Sequence, residues 1–434
     1  MSIPADLLQP FLSAAAASGT GVRRLVLGFS GGLDSTVLLH LLHAPAARHG
    51  LPLLAVHVHH GLQAAADDWV RHVEALCTQW QVPLAVCRVQ VPRQASVEAA
   101  ARQARQAAFA GVMQPGDVLL LAQQGSDQAE TVLFRLLRGS GVAGLGAMAS
   151  VTCLPGTEFP LWRPLLGVSR SALLTYAQAH DLDWVDDASN ADTRFARNFL
   201  RHDILPRLTP HWPHVEQTLI ATAARMQEAE ALLAEMADEL LARAQAGAGR
   251  LRCDVLTELT PAKQRLLLRH WLRVETASVP EAAFVQRMLD ELVHARADAA
   301  PALCWQGRVL RRYRQTLYLL PALPALPVDW SCAWSGATPL LLPDGRLLAA
   351  SAVPATTYRV CYRRGGEVLR RPGRAPTALK NALQAAGIPP WARATLPLLF
   401  CDGELRAVGG VPGLDEDAGV RFLLGAAPAA EKPC

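Results

Sequence analysis

The chain reads as an α/β protein: an N-terminal doubly wound parallel sheet, a helical middle domain and a small α+β C-terminal domain. Three observations predict this. Apolar runs alternate with amphipathic helical stretches over the first 140 residues. Near residue 210 that rhythm gives way to long helical sequence, and beyond 330 short strand-like runs are divided by Gly and Pro. With 434 residues, 51% hydrophobic and 18% charged, the chain can build packed cores and is no disordered tail protein.

Each element has its own warrant. Residues 24–30, RLVLGFS, form an apolar run leading into glycine-rich sequence, as a strand buried on both faces does. STVLLHLLHA then places its apolar positions on one helical face. Residues 53–59, 83–91 and 117–123 read as the second, third and fourth strands, and 63–80, 96–113 and 127–138 as helices. Trp69, Val70, Val73, Leu76, Cys77 and Trp80 lie at helical spacing. In such a sheet ligands sit beyond the carboxyl ends of the strands, at 30–35, 57–62 and 123–130. Further on, 211–247 is a long helical stretch, 302–321 a two-stranded β element, 321–330 a proline-rich linker, and 376–386 the one helix of the tail. Domains are expected at 1–212, 213–325 and 331–434.

Composition excludes several classes. Lysine occurs only at 263, 380 and 432, never after glycine, so a Walker A loop is ruled out. Nine cysteines are scattered singly with no Cys-x-x-Cys, which fits reduced thiols in the cytoplasm and argues against a zinc ribbon or an iron–sulfur cluster. The N-terminus lacks a secretory pattern and no run of about 18 apolar residues occurs, so neither a secretory leader nor a membrane partner is expected. The net charge of +4 is an average. Segment 358–393 carries eight basic residues (Arg359, Arg363, Arg364, Arg370, Arg371, Arg374, Lys380 and Arg393) against one acid, Glu367; its net +7 leaves the rest of the chain at −3. Concentrated arginine on a small domain is the footprint of phosphate-backbone binding, or of a GC-biased surface. Arg311, Arg312 and Arg314 extend it.

The hexapeptide Ser30, Gly31, Gly32, Leu33, Asp34, Ser35 follows a strand and opens a helix. Its glycines let the backbone approach an anion, and the free N–H groups of the helix start favour negative charge. A capped strand–helix turn is the bland alternative. Downstream, Asp127 and Glu130 lie three apart at a helix start, where two carboxylates can hold Mg²⁺ or take a proton, or simply dress the terminus.

The hexapeptide resembles the pyrophosphate-binding loop of the PP-loop ATP pyrophosphatases, an adenine nucleotide alpha hydrolase-like fold. The runs DQAETVLFRLLRGSGVAGLG (127–146), SVEAAARQARQAAF (96–109), WRPLLGVSR (162–170), DDASNADTRFARNFLRHDILPRL (186–208) and LKNALQAAGIPPWARATLPLLFCDGELRAVGGV (379–411) resemble the bacterial tRNA(Ile)-lysidine synthetases, in the expected order over most of the chain. The resemblance implies a ligase. ATP would adenylylate the wobble cytidine of isoleucine tRNA with a CAU anticodon, and L-lysine would then displace AMP to give lysidine. It also implies an ATP loop at 30–35, catalytic Asp34, Asp127 and Glu130, Mg²⁺ near Asp34 and Asp127, and a homodimer. Arg102, Arg105, Arg197, Arg201 and the basic residues Arg363, Arg364, Arg370, Arg371, Arg374 and Lys380 become tRNA contacts. Arg102 and Arg105 could equally be a solvated helix face, and Arg197, Asn198 and Arg201 a salt-bridged helix.

The sequence departs from that family's pattern at His59, where Asp is usual, at Gln63, where Arg is usual, and at Gln123, Gln124 and Ser126, where the pattern has histidines and an acid. An amide can hydrogen-bond but cannot become cationic. The rivals are another PP-loop tRNA-modifying enzyme such as a thiolase, a catalytically weakened tRNA-binding homologue, and a small-molecule amide ligase. The scattered cysteines oppose the first, the intact loop and acidic pair the second, and the basic tail the third.

Overall fold

A computed structural model describes residues 3–4, 6–16, 21–61, 66–90, 97–187, 192–296, 301–321, 326–327, 329–371 and 375–426. Two compact units divide the chain, Met1–Met236 and Ala237–Cys434.

The first unit opens with α1 (Gln9–Ala16), then alternates β1 (Arg24–Gly28), α2 (Leu33–Arg48), β2 (Leu53–His59), α3 (Ala66–Gln79), β3 (Leu84–Arg88), α4 (Val97–Val112), β4 (Asp117–Leu120) and α5 (Gly125–Leu137). The short α6 (Val142–Leu145) leads to β5 (Val151–Cys153) and β6 (Pro160–Trp162), followed by α7 (Arg170–Ala179). The sheet order is β3-β2-β1-β4-β6-β5, parallel except for the edge strand β5. Strands β5 and β6 are additions to the four that periodicity reveals.

Alternation along β1 explains why the sheet is covered twice. Leu25, Leu27 and Phe29 point into a core with Val37 and Leu38 of α2, Val73 and Leu76 of α3, and Leu173 and Ala177 of α7. Val26 points the other way, with Val56, Leu119 and Phe109 of α4. Leu25, Val26 and Leu27 are fully buried, each worth roughly 1.5–3 kcal/mol. Sequence order reverses between β1 and β4, so the segments that follow these two strands flank one crevice.

Residues 196–208 are helical but not uniformly so. Between α8 (Ala196–Phe199) and α9 (Leu205–Leu208), Leu200–Ile204 winds as a π-helix, with the Leu205 N–H donating to the Leu200 carbonyl. The long helix α10 (Val215–Ala244) follows.

In the second unit, β7 (Arg250–Arg252), β8 (Ala302–Trp305), β9 (Arg308–Tyr313) and β10 (Thr316–Pro321) form an antiparallel sheet in the order β7-β10-β9-β8. The two-stranded reading of 302–321 is thus corrected to three strands of a four-stranded sheet. Gln306 and Gly307 both take positive φ (48° and 71°), making the tight hairpin that splits β8 from β9. Helices α11 (Cys253–Thr257), α12 (Pro261–Thr276) and α13 (Ala282–Arg287) pack on it through Leu256, Leu267, Leu268, Trp271 and Val285. The tail builds a six-stranded sheet that includes Tyr358–Cys361 and Leu398–Cys401, and a four-stranded sheet that includes Arg346–Ala350 and Val420–Ala426. Its helices are Leu379–Ala385 and the single turn Pro390–Arg393.

Candidate active site

The loop after β1 is built for a close approach. Gly31 sits at φ +82°, and a Cβ there would lie 2.8 Å from Val73 Cγ1. Gly32 caps α2 without a side chain, so the first-turn amides of Leu33, Asp34 and Ser35 are donors the helix itself does not use. The loop is braced from within. Ser30 Oγ lies 3.0 Å from Ser35 Oγ and accepts from the Gly32 N–H; Ser35 Oγ donates to the Gly32 carbonyl and Thr36 Oγ1 to that of Gly31. From outside, the Val185 N–H donates to the Gly31 carbonyl at 2.9 Å. The result is an anion cradle without lysine.

Asp34 turns into the cavity behind this loop. Its Oδ2 lies 3.6 Å from Arg170, while Oδ1 is buried without a hydrogen-bond partner. Burial pushes its carboxyl up to about 6, with Arg170 opposing, Asp127 adding to the rise and Arg201 opposing. An orphaned carboxylate oxygen beside a second acid fits a hard cation, which would relieve that cost. Among the described residues no group of three or more His, Cys, Asp and Glu is arranged to hold a metal by itself, so phosphate oxygens would have to complete such a site.

Asp127 and Glu130 are not open carboxylates. Arg201 donates through Nε to Glu130 Oε1 at 2.6 Å, and through one Nη to Glu130 Oε2 at 3.1 Å and Asp127 Oδ1 at 2.9 Å. Asp127 Oδ2 accepts the Gln124 N–H, and Gln124 Oε1 accepts that of Ser126, so the acid also caps α5. Glu130 is 1% exposed; burial raises its carboxyl and Arg201 counters. Arg201 stands within the π-helical turn Leu200–Ile204 and meets both acids from there. Of the two alternatives for Arg201, its contacts are those of a salt-bridged helix, with the guanidinium also lining the cavity.

The cavity measures about 500 Å³, within the range of small-molecule sites. Ser30, Gly32, Leu33, Asp34, Ser35, Arg105, Asp127 and Arg201 line it together, so four separate regions of sequence meet. His57, His59 and His60 line it as well. His57 Nδ1 donates to the Phe29 carbonyl, and burial lowers its affinity for a proton. His60 is lowered too, by burial and then by Arg105, His57 and His59. Both shifts favour the neutral ring over the cationic one.

Three further residues line the cavity that carried no assigned role, Arg170, Asp186 and Asp187, and Arg163 reaches its wall by a bond to Gln123. Arg163 and Arg170 follow β6, a three-residue strand begun by proline, too short to register as periodicity. The signal that could have found them was the run 162–170 itself.

The remaining basic residues divide. Arg102 of α4 is solvent-exposed, Arg105 lines the cavity as described, and Arg197 is half-buried. In the tail, Arg363 pairs with Glu367, Arg364 with Asp329 and Arg370 with Glu404; Arg371 donates to the Gly413 carbonyl, and Lys380 is exposed. Arg393 is buried, donating to the Ile388 carbonyl, so the +7 of this segment overstates its free cationic surface. Arg374 and Gln63 lie outside the described residues. No helix among the described residues is long and apolar enough to cross a membrane.

Comparison with known proteins agrees with this layout. Residues 6–208 match the family described as PP-loop domain, 251–318 the TilS substrate binding domain and 358–419 the TilS substrate C-terminal domain. The tRNA(Ile)-lysidine synthase of Pseudomonas aeruginosa is 45% identical over 99% of both chains. That of Xylella fastidiosa strain 9a5c is 46% identical over 88% of both, and that of Methylococcus capsulatus 40% identical over 88% of this chain and 90% of its own. With these anion-cradle, acid and arginine elements arranged in one PP-loop crevice, the chain belongs to the tRNA(Ile)-lysidine synthase family.

Proposed function

We propose that this chain ligates L-lysine to the wobble cytidine of isoleucine tRNA with a CAU anticodon, converting ATP to AMP and pyrophosphate. The observation that carries the reading is the convergence of the loop amides, Asp34 and the Asp127–Arg201–Glu130 cluster on one cavity at the switch point of the sheet. In the first step the base carbonyl oxygen forms a bond to the α-phosphorus of ATP, and the bond to the β-phosphate oxygen breaks with its electron pair leaving on pyrophosphate. Amides of Leu33, Asp34 and Ser35 are placed to hold the departing phosphates. Arg201, held rigid by two acids, presents a fixed positive charge to the phosphoryl group, so Glu130 acts as a positioning residue.

Asp34 and Asp127 would hold a magnesium ion, which would supply charge neutralisation for the phosphates. In the second step the lysine ε-amine, having lost a proton, attacks the activated ring carbon and AMP leaves with the C–O electron pair. Asp186 and Asp187 on the cavity wall suit recognition of the lysine ammonium groups. In this reading residues 1–212 form the catalytic domain, 213–325 a tRNA domain and 331–434 the basic domain, where Arg364, Arg371 and Lys380 meet the backbone; a cytoplasmic homodimer completes the proposal.

The test incubates the purified chain with ATP, lysine and a transcript of that tRNA. Pyrophosphate release that needs both lysine and the tRNA, with modified cytidine in a nuclease digest, is expected. Release without modified cytidine, or equal use of unrelated amines, would favour another PP-loop tRNA-modifying activity. Binding without release would indicate a catalytically weakened homologue.

A further inference from the structure

Gln123 stands on the cavity wall just past the carboxyl end of β4, where the family's usual sequence has histidine. Its side-chain orientation is fixed by one contact. Arg163 Nε, from the residue after β6, donates to Gln123 Oε1. A guanidinium has no lone pair to offer, so the oxygen must face Arg163, and the amide nitrogen with its two protons faces away from it. Arg163 is itself immobilised: one Nη donates to the Ala149 carbonyl and to Thr152 Oγ1, each at 2.9 Å. Among the described residues no carboxylate pairs with Arg163, so its charge falls on neutral acceptors. A cation bonded to the amide oxygen polarises the N–H bonds on the other end, strengthening them as donors.

We propose that Arg163 is a positioning residue which turns the Gln123 amide N–H into the cavity, where it hydrogen-bonds the oxygen that bears charge during adenylyl transfer. The inference rests on the adenylylation chemistry proposed above. It explains how an uncharged residue can occupy a histidine position: Arg163 supplies the charge and Gln123 relays it as a fixed donor. The shared chemistry is an oxygen acceptor, either a phosphoryl oxygen of ATP or the carbonyl oxygen of the base.

The deciding variant is Gln123→Glu. It is isosteric and should strengthen the contact to Arg163, yet it removes the donor. A merely structural role would leave Q123E stable and active. Our expectation is a Tm at or above that of the wild type with kcat lowered about 100-fold, the loss typical of one missing oxyanion donor. Gln123→His, which restores a ring N–H, should recover most of that loss. Arg163→Met, which removes the charge and the contact to Gln123, should lower kcat about 10-fold.

ATP titration without tRNA separates the two acceptors. Weaker ATP binding by Q123E points to a phosphoryl oxygen, and unchanged ATP binding with a slowed tRNA-dependent step points to the base carbonyl. A folded Q123E with wild-type kcat and ATP affinity would overturn the inference while leaving the function intact. Absence of lysidine from the wild-type reaction would remove the function and the inference together.

Discussion

Replacing Arg201 by Met should be among the most damaging single changes in the first unit, and the reason can be worked through. Arg201 makes three hydrogen bonds to two carboxylates, and Glu130 is 1% exposed. Deleting the guanidinium leaves a buried carboxylate without a counter-charge, which costs about 3–5 kcal/mol. That is a large share of a domain stability of about 5–15 kcal/mol. Glu130→Gln alone leaves Arg201 paired with Asp127 and should cost about 1–2 kcal/mol. The double variant removes Arg201 together with its buried partner charge and leaves only the more exposed Asp127 unpaired, so it should cost about 2–3 kcal/mol, less than Arg201→Met by itself. Urea denaturation of the four proteins reads this out, with the midpoint shifting at constant m. A loss under about 1 kcal/mol for Arg201→Met would refute the reasoning. So would additivity of the two changes to within about 0.5 kcal/mol.

Three further outcomes are expected. Gly31→Ala forces φ +82° on a residue with a Cβ and drives that carbon toward Val73, so ATP affinity should fall at least about 10-fold; Val73→Ala in the same chain relieves the contact but not the backbone penalty of about 1–2 kcal/mol, and restores only part. His40, packed against His43, His180, Trp80 and Tyr176, is lowered from 6.5 by burial and then by His43 and His180. The unfolded chain therefore takes up this proton first, so stability is full above 6.5 and falls as pH drops below it; His40→Gln should flatten Tm against pH in that range, though not abolish it, because His57 and His60 shift the same way. In the tail, Lys380→Ala and Arg364→Ala should each weaken tRNA binding evenly across sequences and reduce the slope of log K against log salt by about 1, as measured by filter binding at several salt concentrations.

What could be read in advance followed from physical signals of unequal reach. The strands around Val26, Val56 and Leu119 announce themselves because burial on both faces demands continuous apolar sequence. The 30–35 loop is legible because only glycine meets the φ at Gly31. Strand β6 was silent: three residues beginning with proline carry no period. The partner of Gln123 lies 40 residues away, and nothing local to 123 records it. The charge sum over 358–393 misled for a related reason, since formal charge does not report that Arg393 is buried or that Arg363 and Arg370 already have acids. The pairing of the two acids with Arg201 is less legible than the acids themselves. Asp127 and Glu130 sit at helical spacing, whereas Arg201 stands within a π-helical turn that sequence does not display.

The bond between the Val185 amide and the Gly31 carbonyl has a consequence for how this sequence can change. It makes 180–184 a spacer of set length between α7 and the nucleotide loop. Removing one residue shortens the contour by up to about 3.8 Å and would pull Val185 away from its acceptor. Length, rather than residue identity, should therefore be its most restricted property.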